Sequence, residues 1–154
     1  MDNKVRNGFA IVRPPGHHAG PTHPGGFCLF NNVAIAAKYV QNTYGSKRIL
    51  IFDWDIHHGN GVQTSFYNDP DVLYISAHRH DNGFYPNDKG DATYVGDSDA
   101  KGKNINIPWE TRKVGTPEYM HLFFQLVMPV ATEFCPDLVL GTVKYIPASE
   151  LYSG

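Results

Sequence analysis

Residues 49–61 read ILIFDWDIHHGNG, an apolar run that closes on two aspartates and two histidines. Asp53, Asp55 and His57 are spaced two apart, so on an extended backbone all three side chains leave from one face. A carboxylate and an imidazole so placed can share one metal ion, and Zn²⁺ suits that N/O donor set. A single Asp or His is usually a cap or a surface group. Acids closing a buried run are different, because they are costly without a counter-charge. A second stretch, RPPGHHAG at 13–20, adds His17 and His18 behind a Pro-Pro-Gly turn. Two adjacent imidazoles beside a metal can divide the work of a hydrolysis. One accepts a proton from water, and the other stays charged and steadies developing negative charge. Each then needs an acceptor to set its tautomer, and Asp53 and Asn60 are the candidates. The pattern points to a metal-centred hydrolytic site. His23, His80 and His121 read as loop or helix-surface residues, and His78, after a strand, as structural.

These groups need elements to hold them. GFAIVR at 8–13 predicts a short strand, ended by Pro14-Pro15. NNVAIAAKYVQNTYG predicts a helix, capped by Asn31 or Asn32 and stopped at Gly45. Arg48 to Trp54 is apolar on both faces, the pattern of a strand covered on both sides of a parallel sheet. Val62 to Tyr67 predicts a short helix and Val72 to Ala77 another buried strand. Residues 79–103 form a polar, Gly-rich loop whose length suggests function or mobility. Asn104 to Pro108 predicts a brief strand. Thr116-Pro117-Glu118 supplies a cap, a first-turn proline and an early acid for a helix reaching about Phe134, kinked by Pro129. Leu138 to Val143 is the last predicted strand. This order implies an α/β fold with a mainly parallel sheet, and in such sheets sites form beyond the carboxyl ends of the strands.

The bulk numbers bound the reading. A chain of 154 residues, 42% hydrophobic and 18% charged, is one globular domain or a piece of one. A net charge of -2 argues against coating nucleic acid or anionic membrane. No apolar run reaches the ~18 residues of a spanning helix, and the first residues lack the apolar region of a secretory signal. Cys28 and Cys135 lie far apart with no CxxC, which predicts two reduced, buried thiols in an intracellular protein.

"RPPGHH", "GFCLFNNVAIAA", "DWDIHHGNG" and "DPDVLYIS.H" occur here in the order, and close to the spacing, of the zinc-dependent histone deacetylases. The chain resembles that family, and its class II branch in particular by Trp54, Asn60 and Arg79. The resemblance implies a three-layer arginase/deacetylase-like fold, with helices flanking a mainly parallel sheet that is incomplete at the C-terminus. It reads residues 1–154 as a partial catalytic domain, matched over 8–140, with a divergent tail at 141–154. It implies hydrolysis of N-acetyl-lysine to lysine and acetate on acetylated histones or other proteins. Chromatin regulation, transcriptional repression, corepressor complexes and a nuclear or cytoplasmic location follow from the same source, with no role for direct nucleic-acid or membrane binding.

By position, the resemblance makes Asp55 and His57 two of the three zinc ligands. His18 handles the proton of the attacking water, and His17 is its partner, paired with Asp53. Asn60 orients His18. Asp53, with backbone carbonyls of Asp55, His57, Ser76 and Ala77, matches a structural potassium site. Gly26 and Phe27, with Phe84 and Tyr85, match the walls of the acetyl-lysine tunnel, and the resemblance leaves open which of the last two lines it.

The tail departs from the family. An aspartate in a Gly-Phe-Asp segment is expected after the strand at 138–140, and a catalytic tyrosine in a Gly-Gly-Tyr segment further on. Here the chain reads GTVKYIPASELYSG. Tyr145 and Tyr152 lack the tyrosine's context, and Glu150 is the one acid after Asp137, a substitute ligand if it folds back. The sheet is expected to carry a raw apolar edge after Val143. Two further readings stay open beside the enzyme: a non-catalytic, truncated pseudoenzyme that binds partners, and an acetylpolyamine deacetylase.

Overall fold

The computed structural model describes residues 5–144. In chain order its elements are α1 (Asn32–Tyr44), β1 (Ile49–Asp53), α2 (Asn60–Phe66), β2 (Val72–Arg79), β3 (Asn104–Trp109), α3 (Thr116–Leu122), α4 (Met128–Phe134) and β4 (Leu138–Thr142). The four strands form one parallel sheet in the order β3-β2-β1-β4. β1 is central and buried at every position, as its two-sided apolar sequence predicts. The register sets Asp53, its last residue, beside Ser76 of β2 and Thr142 of β4.

Alternate residues of the strands feed two cores. Ile49, Ile51, Val72 and Tyr74 pack with Ala34 and Ala37 of α1 and with Val62 and Phe66 of α2. Leu50, Phe52, Leu73, Ile75 and Ala77 face the other way, onto Leu122 and Val127. Helices on both faces of a sheet make the three layers. Each fully buried aliphatic side chain contributes roughly 1.5–3 kcal/mol of transfer free energy.

Local chemistry explains the helix ends. Asn31 Oδ1 accepts the Ala34 N–H at 3.1 Å and caps α1. Gly45 then takes a left-handed φ of 66° and donates its N–H to the Gln41 carbonyl. α3 starts one residue earlier than its sequence suggests. Gly115 is the cap, and its N–H is held by the Glu118 carboxylate at 2.8 Å. The kink expected at Pro129 takes the form of a π-helical stretch, Phe123–Val127, between α3 and α4. Proline lacks an N–H and its ring crowds the carbonyl four residues back, so a widened turn in front of it relieves both problems.

Two expectations fail. Residues 8–13 are not a strand: Phe9 and Ile11 are 91% and 90% exposed, and no described strand lies beside them to pair with. Both cysteines are free, but only Cys28 is buried. Cys135 is exposed because it ends α4 in a left-handed conformation, φ 51°, where the chain turns at the surface. Tyr145, Glu150 and Tyr152 lie outside the described residues. Among the described residues, no helix is long and apolar enough to cross a membrane.

Candidate active site

The site lies at the carboxyl end of β1. The strand stops at Asp53, so Asp55 and His57 do not share its extended face. Two short-range bonds fold the segment instead. Asp53 Oδ1 accepts the Asp55 N–H at 3.1 Å, and Asp55 Oδ1 accepts the His57 N–H at 2.9 Å. Aspartate readily bonds the backbone two residues on, and two such turns in a row curl the chain around one point. The acids and the imidazole still converge, by turning rather than by extension.

The loop at 16–20 delivers the two histidines to that point. His17 Nδ1 is 2.8 Å from Asp53 Oδ2, and His17 Nε2 is 3.8 Å from Asp55 Oδ1. His18 Nδ1 is 3.0 Å from Asn60 Oδ1, at the first turn of α2. The Asn60 amide is oriented by Asp88, which accepts its Nδ2–H at 3.3 Å. An amide oxygen only accepts, so His18 carries its proton on Nδ1 and keeps the Nε2 lone pair. The Asp53–His17 pair is finished by Tyr74, whose hydroxyl lies 3.3 Å from Asp53 Oδ2 and 3.2 Å from the Gly59 carbonyl.

Two adjacent rings, 4.0 Å apart, acquire opposite preferences. Burial pulls the His17 pKa down, but the charge and hydrogen bond of Asp53, with Asp55 beyond, outweigh it and raise it above the ordinary value. His18 is pushed down to about 3, first by burial and then by the neighbouring His17 charge. The Asp55 pKa is lowered: burial opposes this, but hydrogen bonds from His57 and the charge of His17 prevail.

Asp55 Oδ1 and His57 Nδ1 stand 3.1 Å apart. Two ligands on a tetrahedral zinc, each at roughly 2.0–2.1 Å, stand about 3.3 Å apart, so this pair can hold such an ion. His17 Nε2 is buried and without a hydrogen-bond partner, which suits a water that would accept its N–H. Among the described residues no group of three His, Cys, Asp or Glu is gathered to hold a metal. Asp55 and His57 therefore fit as two donors of a catalytic zinc, which ordinarily has three from the protein.

The sequence-selected wall residues divide. A Cβ on Gly26 would fall 2.2 Å from His18 Cδ2, and Gly26 has φ 52°, so no other residue lets the loop pass this close. Phe27, next to it, is 82% exposed. Phe84 stacks on His57, centroids 4.7 Å apart, with the Arg79 guanidinium on its ring. Tyr85 presents an edge to His18 at 5.0 Å and is half exposed, so it stands at the mouth while Phe84 backs the imidazole. Ser76 and Ala77 are buried in β2 beside the end of β1, with Asp53 opposite Ser76.

Of the supporting groups, His78 is structural as its sequence position suggests, while Gln63 and Lys144 carry no signal in the sequence. Gln63 Oε1 accepts from His58 Nε2, Asn104 Nδ2 and Asn106 Nδ2, while its own amide donates to the Lys89 carbonyl. His78, buried inside β2, is held by Ser76 and bonds the Gly90 carbonyl at 2.9 Å. Together they pin the loop that carries Phe84 and Tyr85. Lys144 also reaches the site, its N–H 2.6 Å from Asp55 Oδ2 and its ammonium 3.3 Å from His18 Nε2.

Residues 1–143 match the family profile described as "Histone deacetylase domain". The chain is 53% identical to histone deacetylase clr3 of Schizosaccharomyces pombe, over 97% of this chain and 22% of that protein. It is 51% identical to histone deacetylase 7 of Homo sapiens, over 92% of this chain and 15% of that protein. With the polyamine deacetylase HDAC10 of Danio rerio the identity is 49%, over 94% of this chain and 22% of that protein. The crystal structure of the HDA15 HD domain superposes with a TM-score of 0.85 at 50% identity, covering 90% of this chain and 40% of that one. The chain thus spans about a fifth of the length of these curated relatives and shares the parallel α/β architecture of the solved domain.

Proposed function

Because this chain belongs to the histone deacetylase family, we propose that it carries the proton-handling half of a zinc-dependent lysine deacetylase, which hydrolyses N-acetyl-lysine to lysine and acetate. The observation that carries the reading is the split pair. His18 is buried, neutral and aligned by Asn60, while His17 beside it holds a proton against Asp53.

His18 Nε2 is the base, since the Asn60 bond leaves its lone pair open and the ring stands edge-on to His57, centroids 5.7 Å apart. His17, kept charged by Asp53, opposes the negative charge that grows on the substrate carbonyl oxygen. Asp55 and His57 would hold the zinc, and a bound zinc polarises the acyl carbonyl and lowers the pKa of water toward ~7. Phe84 fixes His57 from behind. Tyr85 and the Gly26 backbone bound the approach to His18, with Phe27 at the rim, a channel suited to an extended, apolar lysine stem. Asp53, with carbonyls of Asp55, His57, Ser76 and Ala77, is the proposed potassium site. The substrate is an acetylated histone or another acetyl-lysine protein. Corepressor complexes and a nuclear or cytoplasmic setting accompany that role.

The test pairs zinc stoichiometry with hydrolysis of a fluorogenic acetyl-lysine peptide by the full chain. One zinc per chain, lost in His57→Ala, and turnover lost in His18→Ala support the proposal. Peptide binding without turnover supports a non-catalytic binding module instead. The similarity to a polyamine deacetylase gives a second substrate reading. Turnover of an acetylpolyamine, with the peptide left intact, would establish it.

A further inference from the structure

Lys144 is the first residue beyond the segment that matches the family profile, yet it reaches the centre of the site. β4 runs parallel to β1, with Thr142 beside Asp53, and the Trp54 N–H bonds the Thr142 carbonyl. The chain therefore leaves β4 over the curled Asp53–His57 segment. Two residues on, the Lys144 N–H donates to Asp55 Oδ2 at 2.6 Å. Its side chain then folds inward, and Nζ sits 3.3 Å from His18 Nε2, the nitrogen whose lone pair is left open by the Asn60 bond. An ammonium only donates, so this contact covers the base's lone pair. Asp53 and Asp55 are both buried, and the lysine brings a positive charge to their side of the site.

We propose that Lys144 is an internal competitor for the divalent cation: its main chain engages Asp55, and its ammonium covers the His18 lone pair. The inference rests on the assignment of Asp55 and His57 as zinc donors. A zinc ion seated between them and an ammonium on His18 repel each other at short range across a buried site, where water screens them weakly. Binding the metal must expel the lysine side chain. Conversely, a site without metal is stabilised by it.

The experiment compares the full wild-type chain with Lys144→Met, which keeps the apolar stem and removes the charge, and with Lys144→Arg, which keeps the charge. Zinc affinity is read by competition with a chromophoric chelator. The thermal midpoint is read in EDTA. Lys144→Met is expected to bind zinc at least tenfold more tightly than wild type and to unfold at a lower temperature in EDTA, with Lys144→Arg close to wild type in both. Equal, measurable zinc affinity in wild type and Lys144→Met, abolished by His57→Ala, overturns the competitor role and leaves the zinc donors standing. Absence of zinc binding from every form overturns the donor assignment and the competitor with it.

Discussion

The rings of His17 and His18 are 4.0 Å apart and tilted by 43°, and each is bound through Nδ1 to a different kind of acceptor, a carboxylate for His17 and an amide for His18. The carboxylate raises the His17 pKa, whereas the neutral amide beside His18 does not offset the lowering by burial and by the His17 charge. On the proposed function, sequence neighbours thereby take complementary roles in a proton transfer.

Changing Asn60 to aspartate erases that difference. The carboxylate is expected to raise the His18 pKa from about 3 toward the ordinary imidazole range, since an adjacent negative charge favours the protonated ring. NMR titration of the His18 imidazole in the variant measures it directly. A midpoint left where it was would show that Asn60 does not govern the ring.

Gly59 is packed where no side chain fits. A Cβ there would lie 2.3 Å from Asp53 Oδ2 and 2.4 Å from the Tyr74 hydroxyl. Gly59→Ala is expected to push the Asp53–His17–Tyr74 group apart and to destabilise the fold by about 1–3 kcal/mol, the usual cost of overpacking. Urea unfolding provides the measurement, and a wild-type midpoint would contradict the packing described.

Acid should weaken the fold through His78. Its pKa is lowered to about 3 by burial and by the neighbouring His58, so the folded form declines a proton that the unfolded chain accepts below the ordinary imidazole value of 6.5. Stability is therefore expected to fall as pH drops from the unfolded pKa toward the folded one, by up to about 1.4 kcal/mol per pH unit for this group. His17 works in the opposite sense. Its raised pKa contributes stability fully below the ordinary imidazole value, lost as pH rises through the folded one. Chemical denaturation of wild type and His78→Gln across this acid range should show a shallower slope in the variant. Parallel slopes would remove His78 from the account.

Gln63 gathers three donors on one oxygen. Gln63→Leu leaves His58 Nε2 without an acceptor and costs Asn104 and Asn106 one partner each, a loss of about 1–3 kcal/mol for the stranded buried donor. Hydrogen exchange should quicken between residues 80 and 103 while α1 keeps its protection. Uniform quickening would mean the residue supports the whole fold rather than this loop.

Much of this arrangement is readable from residue types. The two-sided apolar run before Asp53 announces a central parallel strand, and Asn31, Gly45 and Pro117 mark helix ends with known chemistry. The GFAIVR segment misleads because apolar character permits a strand but cannot supply a partner for it. Asp53, Asp55 and His57 do lie together, but not on the extended face expected of them: alternation assumes extension, whereas aspartates bond their own chain and curl it. Gln63 and Lys144 are silent in the sequence. Gln63 meets Asn104 and Asn106, 41 and 43 positions on, and Lys144 meets His18, 126 positions back, distances that local pattern does not encode.

The pins on Lys89, Gly90 and Asp91 fall near the middle of the long connection between β2 and β3. A tether reaching from residue 80 to residue 103 thus behaves as two short arcs, each closing at a smaller entropic cost than the whole. Phe84 and Tyr85 ride on the first arc, which is also clasped at its root by the Arg79–Asp81 pair. Both rings are therefore expected to move with a short, clipped bend rather than with a long free loop.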